Sequence, residues 1–183
     1  MPDGGWHSFS RLLGWACDLL RPKRIVEWGP GFSTEVMAKA CPAAIIHSFE
    51  HDPVWCDRAR ERLRGYENVH LHYRRISLVP GESTGYVTAA LREGGPASFD
   101  LAFVDGRMRC DCLTFAWLLL KPTGFAVLHD AERPAYRPAI DLYPLQMTDP
   151  CPPVTVGLWK DPSVGVLEMP DWATVTARHK GDG

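Results

Sequence analysis

Short apolar runs alternate with helical patterns between residues 24 and 130, and this alternation constrains the fold more than any other feature. The apolar runs are 24–28, 45–50, 69–73, 100–105 and 125–130. One helical pattern ends before Pro22, and the others lie between the runs, at 33–40, 53–64, 83–92 and 113–120. Strands that alternate with helices form a parallel sheet covered by helices on both faces.

Two more β-like runs, 154–160 and 164–169, break this alternation near the end of the chain. Asp161-Pro162-Ser163 joins them, and so short a link cannot make the crossover that parallel neighbours need. We therefore expect an antiparallel pair. The predicted fold is an α/β fold with a mostly parallel, seven-stranded sheet that ends in this antiparallel pair.

Size and composition predict one globular domain and disfavour several kinds of partner. The 183 residues suffice for one core, which we place over residues 1–176, with a disordered tail at 177–183. A net charge of −2 disfavours a nucleic-acid partner, and no apolar stretch reaches the ~18 residues that span a bilayer. The first residues lack the pattern of a secretion signal, so we expect a cytoplasmic protein with no membrane partner, whose six cysteines stay reduced.

A glycine turn follows the first predicted strand, where the chain enters a helix. Gly29-Pro30-Gly31 allows a tight turn and lets a ligand approach the backbone beside the free amides of the helix start. Parallel α/β sheets bind ligands beyond the carboxyl ends of their strands. Glu50 ends the second strand there and is able to accept hydrogen bonds from both hydroxyls of a ribose. A nucleoside-containing cofactor is the prediction; a plain turn and a solvated carboxylate are the alternative.

Nicotinamide dinucleotides use a similar turn, and residue 34 separates the two possibilities. The fingerprint G-x-G-x-x-G requires glycine there, and this chain has Thr34. A terminal antiparallel pair is also unusual in a nicotinamide-binding fold. S-adenosylmethionine is therefore the favoured cofactor, and a NAD-dependent oxidoreductase is an alternative.

Four motifs in order resemble those of class I S-adenosylmethionine-dependent methyltransferases over about residues 8–169. They are Glu27-x-Gly29-x-Gly31-x-Ser33-Thr34, Phe49-Glu50-His51-Asp52, Phe103-Val104-Asp105-Gly106 and Leu128-His129-Asp130. The resemblance implies that class's Rossmann-like fold and a set of cofactor contacts: Glu27, Gly29, Pro30, Gly31, Ser33, Glu50, His51, Ile76 and Asp105. Glu27 would orient the loop or the cofactor's amino group, and Arg75 and Ile76 would border adenine.

The third and fourth motifs are also similar to those of catechol O-methyltransferase-like and glucuronoxylan O-methyltransferase-like enzymes. This resemblance implies that Asp105 and Asp130 are catalytic and hold a divalent metal, and His129 or Glu132 would complete the set. Carboxylates suit magnesium or manganese, and an imidazole would admit a transition ion. The chain has Ala131 where the first of these families has a ligating asparagine. Loop caps and a core histidine are the alternative interpretation.

The predicted function is O-methylation of a small-molecule acceptor, in which the strand-tip residues position a hydroxyl and remove its proton. Arg107, Arg109, Arg133 and Arg137 lie in the two acceptor-side loops, and we expect them to bind an anionic or sugar-like acceptor. Ordinary solvated arginines are the alternative. The arginines of the second crossover helix alternate with acids and predict a solvated face.

Two further expectations concern how the site is completed. No inserted cap covers the acceptor side, so either the pocket is shallow or a second subunit completes it in a homodimer. Trp6, His7 and Phe9 precede the first helix, where they pack on the domain edge or fold over the cofactor as a lid. A non-catalytic member of the fold, which binds the cofactor or a partner, is the second functional hypothesis.

Overall fold

The computed structural model describes residues 9–77, 84–149 and 155–160 of the chain. Its helices are α1 (Phe9–Leu20), α2 (Phe32–Ala40), α3 (Pro53–Arg62), α4 (Thr84–Thr88), α5 (Arg109–Leu119) and α6 (Arg137–Ile140). Its strands are β1 (Arg24–Trp28), β2 (Ile45–Glu50), β3 (Val69–Tyr73), β4 (Phe99–Val104), β5 (Leu120–Leu128), β6 (Leu145–Asp149) and β7 (Thr155–Trp159). Short 3₁₀ turns span Ala89–Arg92 and Pro134–Tyr136.

The strands form one seven-stranded sheet in the order β3-β2-β1-β4-β5-β7-β6. The first five strands in sequence are mutually parallel, and β7 lies antiparallel to both β5 and β6. The predicted fold class is thereby confirmed. The strand order reverses between β1 and β4, which opens a crevice at their carboxyl ends.

The antiparallel pair is present, but its second strand was predicted wrongly. The run 154–160 corresponds to β7, and its partners are β5 and Leu145–Asp149, where no strand was predicted. Both edges of β7 are thus occupied, whereas the predicted partner, 164–169, lies outside the described residues. The sequence of β6, Leu-Gln-Met-Thr-Asp, has too few β-branched and apolar residues to stand out as a strand.

Apolar layers cover both faces of the sheet, because successive side chains of a strand point to opposite faces. In β1, Ile25 packs into the layer that includes residues of α1 and α2, whereas Val26 and Trp28 pack with residues of α4 and α5. All three side chains are buried. The two layers fix the strand ends, and therefore also the loops that leave them.

Most predicted element bounds agree with the structure to within a few residues. The predicted helix 83–92 is shorter: α4 spans five residues and continues as a 3₁₀ turn, consistent with the weak helix formers Gly85 and Thr88. Asp52 caps α3 as expected, because its Oδ1 accepts hydrogen bonds from the amides of Val54 and Trp55. Cys17, Cys41, Cys56, Cys110 and Cys112 are free thiols, as predicted.

Several expectations fall on residues that the structure does not describe. These are the placement of Trp6 and His7, the link Asp161-Pro162-Ser163, the sixth cysteine, Cys151, and the tail 177–183. Within the described ranges, no helix is both long and apolar enough to cross a membrane.

Candidate active site

A large cavity lies at the carboxyl ends of β1, β2 and β4, with His129 after β5 on its wall. Its volume is about 1000 Å³, and its walls come from the loops that follow these strands and from one face of α3. The reversal of strand order lies here, so the cavity has the position that the sequence predicted. Pockets of ~300–1,000 Å³ hold cofactors and other small molecules. The cavity is therefore large enough for a nucleoside cofactor with an acceptor beside it.

Gly29 makes the turn after β1 possible. Its φ angle is +93°, a conformation that residues with a Cβ rarely adopt. A Cβ at Gly29 would also lie 2.6 Å from the backbone nitrogen of Gly106, so only glycine lets the loop after β4 pack against the turn. Gly31 differs, because it borders the cavity and a Cβ added there would meet no atom within 4 Å. Open space therefore lies beside the backbone of Gly31.

Glu27 is buried beneath this turn and holds it in place. Its carboxylate accepts hydrogen bonds from Ser33 Oγ at 2.5 Å, Thr34 Oγ1 at 2.7 Å and Ser48 Oγ at 2.5 Å. Thr34 Oγ1 also accepts a hydrogen bond from the amide of Gly31 at 2.9 Å. Burial raises the pKa of Glu27 to about 7, against the lowering effect of the three hydroxyl groups. The Thr34 hydroxyl thus links the turn to Glu27. Glycine, which the dinucleotide-binding fingerprint has at this position, lacks a side chain to do so.

Glu50 ends β2 on the wall of the same cavity. Its Oε1 accepts hydrogen bonds from the amides of His51 at 2.7 Å and Asp52 at 2.8 Å. Its Oε2 accepts no hydrogen bond from the described residues, so it remains available to a ligand. The amide of Gly29 donates to the carbonyl oxygen of Phe49 at 3.0 Å, which ties the end of β2 to the glycine turn.

Asp105, His129 and Asp130 come together at the tips of β4 and β5, where each offers an oxygen or nitrogen within 4.8 Å of the others. His129 Nδ1 lies 3.0 Å from Asp105 Oδ1 and 3.7 Å from Asp130 Oδ1. Because a carboxylate only accepts, the shorter contact is a hydrogen bond that Nδ1 donates. The proton on Nδ1 makes Nε2 the basic nitrogen of this ring.

Solved methyltransferase structures share this architecture at low sequence identity. An O-methyltransferase from Bacillus cereus, in complex with SAH (S-adenosylhomocysteine), has a TM-score of 0.63 at 12% identity, with 86% of this chain and 83% of that chain covered. An SAH-bound methyltransferase from Podospora anserina has a TM-score of 0.61 at 18% identity, covering 83% and 78%. A methyltransferase-like protein from Silicibacter pomeroyi has a TM-score of 0.63 at 16% identity, covering 97% and 96%.

The fold is that of the class I methyltransferases. No protein-family model matches the sequence, and a comparison with curated proteins finds no match. The resemblance that the four motifs suggested is therefore supported by tertiary structure rather than by overall sequence similarity.

Most of the predicted cofactor residues border the cavity of this methyltransferase fold. Those that do are Gly29, Pro30, Gly31, Ser33, Glu50, His51 and Asp105. Glu27 lies beneath the turn, so its contacts match the predicted role in orienting the loop. Ile76 packs against the apolar layer of α4 and α5, and neither it nor Arg75 is on the cavity wall.

Arg109 lies between the two strand-tip aspartates. The sequence did not predict this position. Arg109 Nη2 is 2.9 Å from Asp105 Oδ1, and its Nη1 is 2.8 Å from Asp130 Oδ2. The guanidinium also donates to the carbonyl oxygens of Gly106 at 3.0 Å and His129 at 2.7 Å. Only 12% of the Arg109 side chain is exposed, so this cation is held in a fixed position between the carboxylates.

This position of Arg109 bears on the predicted metal at Asp105, His129 and Asp130. The three groups are of the type that divalent ions bind. An ion between the two carboxylates, however, would lie within a few ångströms of the Arg109 guanidinium, which already pairs with both, and like charges repel. As arranged, these residues do not fit such an ion, and the metal stays a prediction from the sequence.

One face of α3 also borders the cavity. Trp55, Arg58 and Arg62 line it, and the guanidinium of Arg58 lies 5.1 Å from the centre of the Trp55 ring. Both arginines are exposed, as the predicted solvated face requires, and Arg62 also pairs with Glu35 at 3.3 Å. The spacing of Trp55, Arg58 and Arg62 puts them on one side of a helix, and this pattern was visible in the sequence.

The other aromatic and basic residues divide between the cavity wall and the surface. Arg107 and Arg133 border the cavity, whereas Arg137 pairs with Asp141 at 2.7 Å on an exposed turn. Phe9 is buried on the wall, and its ring centre lies 5.1 Å from that of His129. Phe9 therefore packs against the domain, which is the first of the two placements expected for it.

Alanine at the two glycines of the turn is expected to separate a folding defect from a binding defect. Gly29→Ala should lower the free energy of unfolding by about 2–5 kcal/mol, because backbone strain adds to a steric clash. Gly31→Ala should leave it within about 0.5 kcal/mol of wild type. Its methyl group would nevertheless weaken the binding of S-adenosylhomocysteine about tenfold, or about 1.4 kcal/mol. Urea unfolding and calorimetric titration measure the two effects; equal unfolding free energies for both variants would contradict the expectation.

The raised pKa of Glu27 is expected to make stability depend on pH. Between its ordinary value of 4.5 and about 7, the folded state keeps a proton that the unfolded state releases. Stability should therefore fall as pH rises through this window, by roughly 3 kcal/mol. Glu27→Gln removes the titration, so the difference in unfolding free energy between wild type and variant should change between about pH 4 and about pH 8. A constant difference across that range would refute the assignment.

Proposed function

We propose that this protein is an S-adenosylmethionine-dependent methyltransferase that acts on a hydroxyl group of a small acceptor. The observation that carries the proposal is that the Gly29–Gly31 turn and the Glu50 carboxylate border one cavity at the reversal of strand order. Glu50 would bind the ribose hydroxyls, and the backbone at Gly31 would lie along the methionine part. His51 would lie next to the nucleoside.

The bound cofactor supplies a methyl group on a sulfonium, which the acceptor oxygen attacks in line with the breaking carbon–sulfur bond. Asp105 orients the His129 ring through the 3.0 Å contact to Nδ1. His129 Nε2 then takes the hydroxyl proton as the new carbon–oxygen bond forms. The electron pair of the breaking bond stays on sulfur. The Arg109 guanidinium pairs with both Asp105 and Asp130 and holds them beside this base.

Calorimetric titration with S-adenosylhomocysteine and with NAD tests the cofactor assignment. We expect binding of the first and none of the second. Asp105→Asn then separates an enzyme from a non-catalytic binder, the alternative that the sequence left open. An enzyme should lose turnover in this variant while it still binds S-adenosylhomocysteine; NAD binding alone would overturn the proposal.

An anionic or sugar-like acceptor follows from the basic cavity wall, where Arg107 and Arg133 lie on the acceptor side. A guanidinium binds carboxylates and phosphates through two parallel hydrogen bonds. Methyl transfer from labelled cofactor to paired neutral and acidic acceptors, such as a hexose and its uronic acid, tests this. We expect a preference for the acid that is lost in Arg107→Ala and Arg133→Ala. Arg137→Ala is the matched control, because Arg137 does not border the cavity.

Methyl transfer is expected to proceed without a divalent metal, because Arg109 supplies the positive charge between Asp105 and Asp130. Activity should stay within about twofold of the untreated enzyme after exhaustive chelation, since no charge is removed from the site. Arg109→Met should lose activity and gain affinity for Mn²⁺, because Asp105 and Asp130 lose the cation that lies between them. Loss of wild-type activity on chelation, with recovery in Mg²⁺ or Mn²⁺, would restore the metal-assisted mechanism. A homodimer and a cytoplasmic location also stay predictions.

A further inference from the structure

A second group of potential metal ligands lies on β2, on the edge strand β3 and in the turn after α4. The strand-tip residues, in contrast, follow β4 and β5, on the other side of β1. His47, His72 and Glu93 each offer a ligand atom within 4.8 Å of the others. His47 lies in β2 and His72 in the edge strand β3, and Glu93 follows the 3₁₀ turn Ala89–Arg92. None of the three borders the large cavity. The proposed methyl transfer gives these residues no role.

We propose that His47, His72 and Glu93 bind a transition-metal ion of the zinc class, which joins β2, β3 and the turn after α4. His47 Nδ1 lies 3.2 Å from His72 Nε2. Two nitrogens bound to one tetrahedral zinc at about 2.05 Å are about 3.3 Å apart. The two histidines are therefore already at the separation that such an ion requires.

Glu93 supplies the anionic ligand. Its Oε2 lies 3.7 Å from His47 Nδ1, and its Oε1 lies 3.8 Å from His72 Nδ1. A shift of a few tenths of an ångström brings a carboxylate oxygen to the distance from His47 that a shared ion requires. The guanidinium of Arg24 is nearby, but it donates to the backbone carbonyl of Glu93 and lies over the Phe99 ring. In its described contacts, Arg24 therefore does not pair with the side-chain carboxylate of Glu93.

Packing holds the two imidazoles before any ion binds. The ring of His72 stacks on Phe49 with centres 4.8 Å apart and lies 5.4 Å from the ring of His47. The His47 ring also meets the edge of Phe99 at 6.2 Å. The two rings are therefore held in place by their neighbours, and little rearrangement is needed to bind an ion.

The chemistry of the set selects the ion. Two imidazoles and one carboxylate suit zinc, cobalt, nickel or copper, whereas magnesium and calcium prefer oxygen ligands throughout. Zinc takes three protein ligands of this kind and leaves one position to water. Such an ion would cross-link the edge strand β3 to the turn after α4, two elements far apart in sequence.

Titration of the chelator-treated protein with Zn²⁺ tests the proposal, with Co²⁺ as a spectroscopic probe. Wild type should bind one Zn²⁺ with micromolar or tighter affinity, show the visible absorption of tetrahedral Co²⁺, and gain about 5 °C or more in Tm at saturating Zn²⁺. His72→Gln and Glu93→Gln should each weaken binding at least about 30-fold, as expected on loss of one ligand. Glu93→Gln is the variant that keeps the proposal testable if His72→Gln does not fold, because Glu93 lies in a turn.

Asp130→Asn is the matched control, because it removes a ligand of the other candidate group. It should leave Zn²⁺ affinity and the Co²⁺ spectrum unchanged. Absence of Zn²⁺ binding in wild type, or binding that survives in Glu93→Gln, would overturn the proposal. So would binding that Asp130→Asn abolishes, because the ion would then lie at the strand tips. None of these readouts depends on methyl transfer.

Discussion

Replacing Glu50 by alanine is expected to weaken the binding of S-adenosylhomocysteine by about 10²–10⁴-fold. Each hydrogen bond from a ribose hydroxyl to a carboxylate contributes about 1.5–3 kcal/mol, and the variant loses two of them. The effect should be large because Glu50 is only 2% exposed, so water does not replace the lost carboxylate easily. Calorimetric titration at a fixed pH measures the change in Kd, and no acceptor needs to be known.

The control for this variant is Asp57→Ala, an acid on α3 whose side chain is 74% exposed. It removes the same charge a short distance along the chain and should leave Kd within about twofold of wild type. Glu50→Gln should fall between the two, because its amide oxygen still accepts the hydrogen bonds from the backbone amides of His51 and Asp52. An unchanged Kd in Glu50→Ala would show that Glu50 does not bind the ribose, and it would contradict the proposed function.

Replacing His129 by glutamine is expected to lower kcat by about 10²–10⁴-fold, the usual contribution of a general base. The variant keeps a polar side chain at the position but has no basic nitrogen near pH 7. Methyl transfer to the acidic acceptor that gives the highest wild-type rate provides the measurement. Cofactor affinity should remain within a few-fold of wild type, so the loss should lie in kcat rather than in cofactor binding.

The matched control is His70→Gln, which makes the same change at an exposed histidine of β3, outside both the cavity and the proposed zinc ligands. Its kcat should equal that of wild type. Asp105→Asn should lower kcat as well, because it changes the hydrogen bond that fixes the proton on His129 Nδ1. If His129→Gln keeps its kcat, another group must remove the proton from the acceptor hydroxyl, and the pair of Asp105 and His129 has no catalytic role.

The parallel part of the fold could be predicted because its local signals agree with one another. Strands β1, β2 and β3 occur at the predicted residues, since each is an apolar run bounded by a turn or a helix cap. The cap at Asp52-Pro53 fixes the start of α3, and the glycine turn fixes that of α2. β6 was missed because Leu145–Asp149 is a strand only where β7 lies beside it. Its local sequence alone has no clear strand preference.

The meeting of the glycine turn and Glu50 at one cavity was largely predictable, and the contacts of the arginines around it were not. Glycine at 29 and an acid at 50 follow directly from what a tight turn and a ribose require, so the residue types are informative by themselves. Arg109 was placed among the acceptor-binding arginines, because nothing in the sequence shows that its guanidinium reaches both Asp105 and Asp130. Arg58 and Arg62 are exposed, as predicted, but the sequence does not show that they border the cavity, because the position of α3 depends on how the helix packs.

The sequence by itself determined the order of the strands and helices, the glycine turn and the acids at the strand tips. These depend on local backbone preferences and on the rule that parallel strands end at one edge of the sheet. Only the tertiary structure decided which charges meet. The pairing of Arg109 with Asp130 and the meeting of His47, His72 and Glu93 join residues far apart in sequence. Such contacts depend on side-chain packing between elements, and no local pattern specifies them.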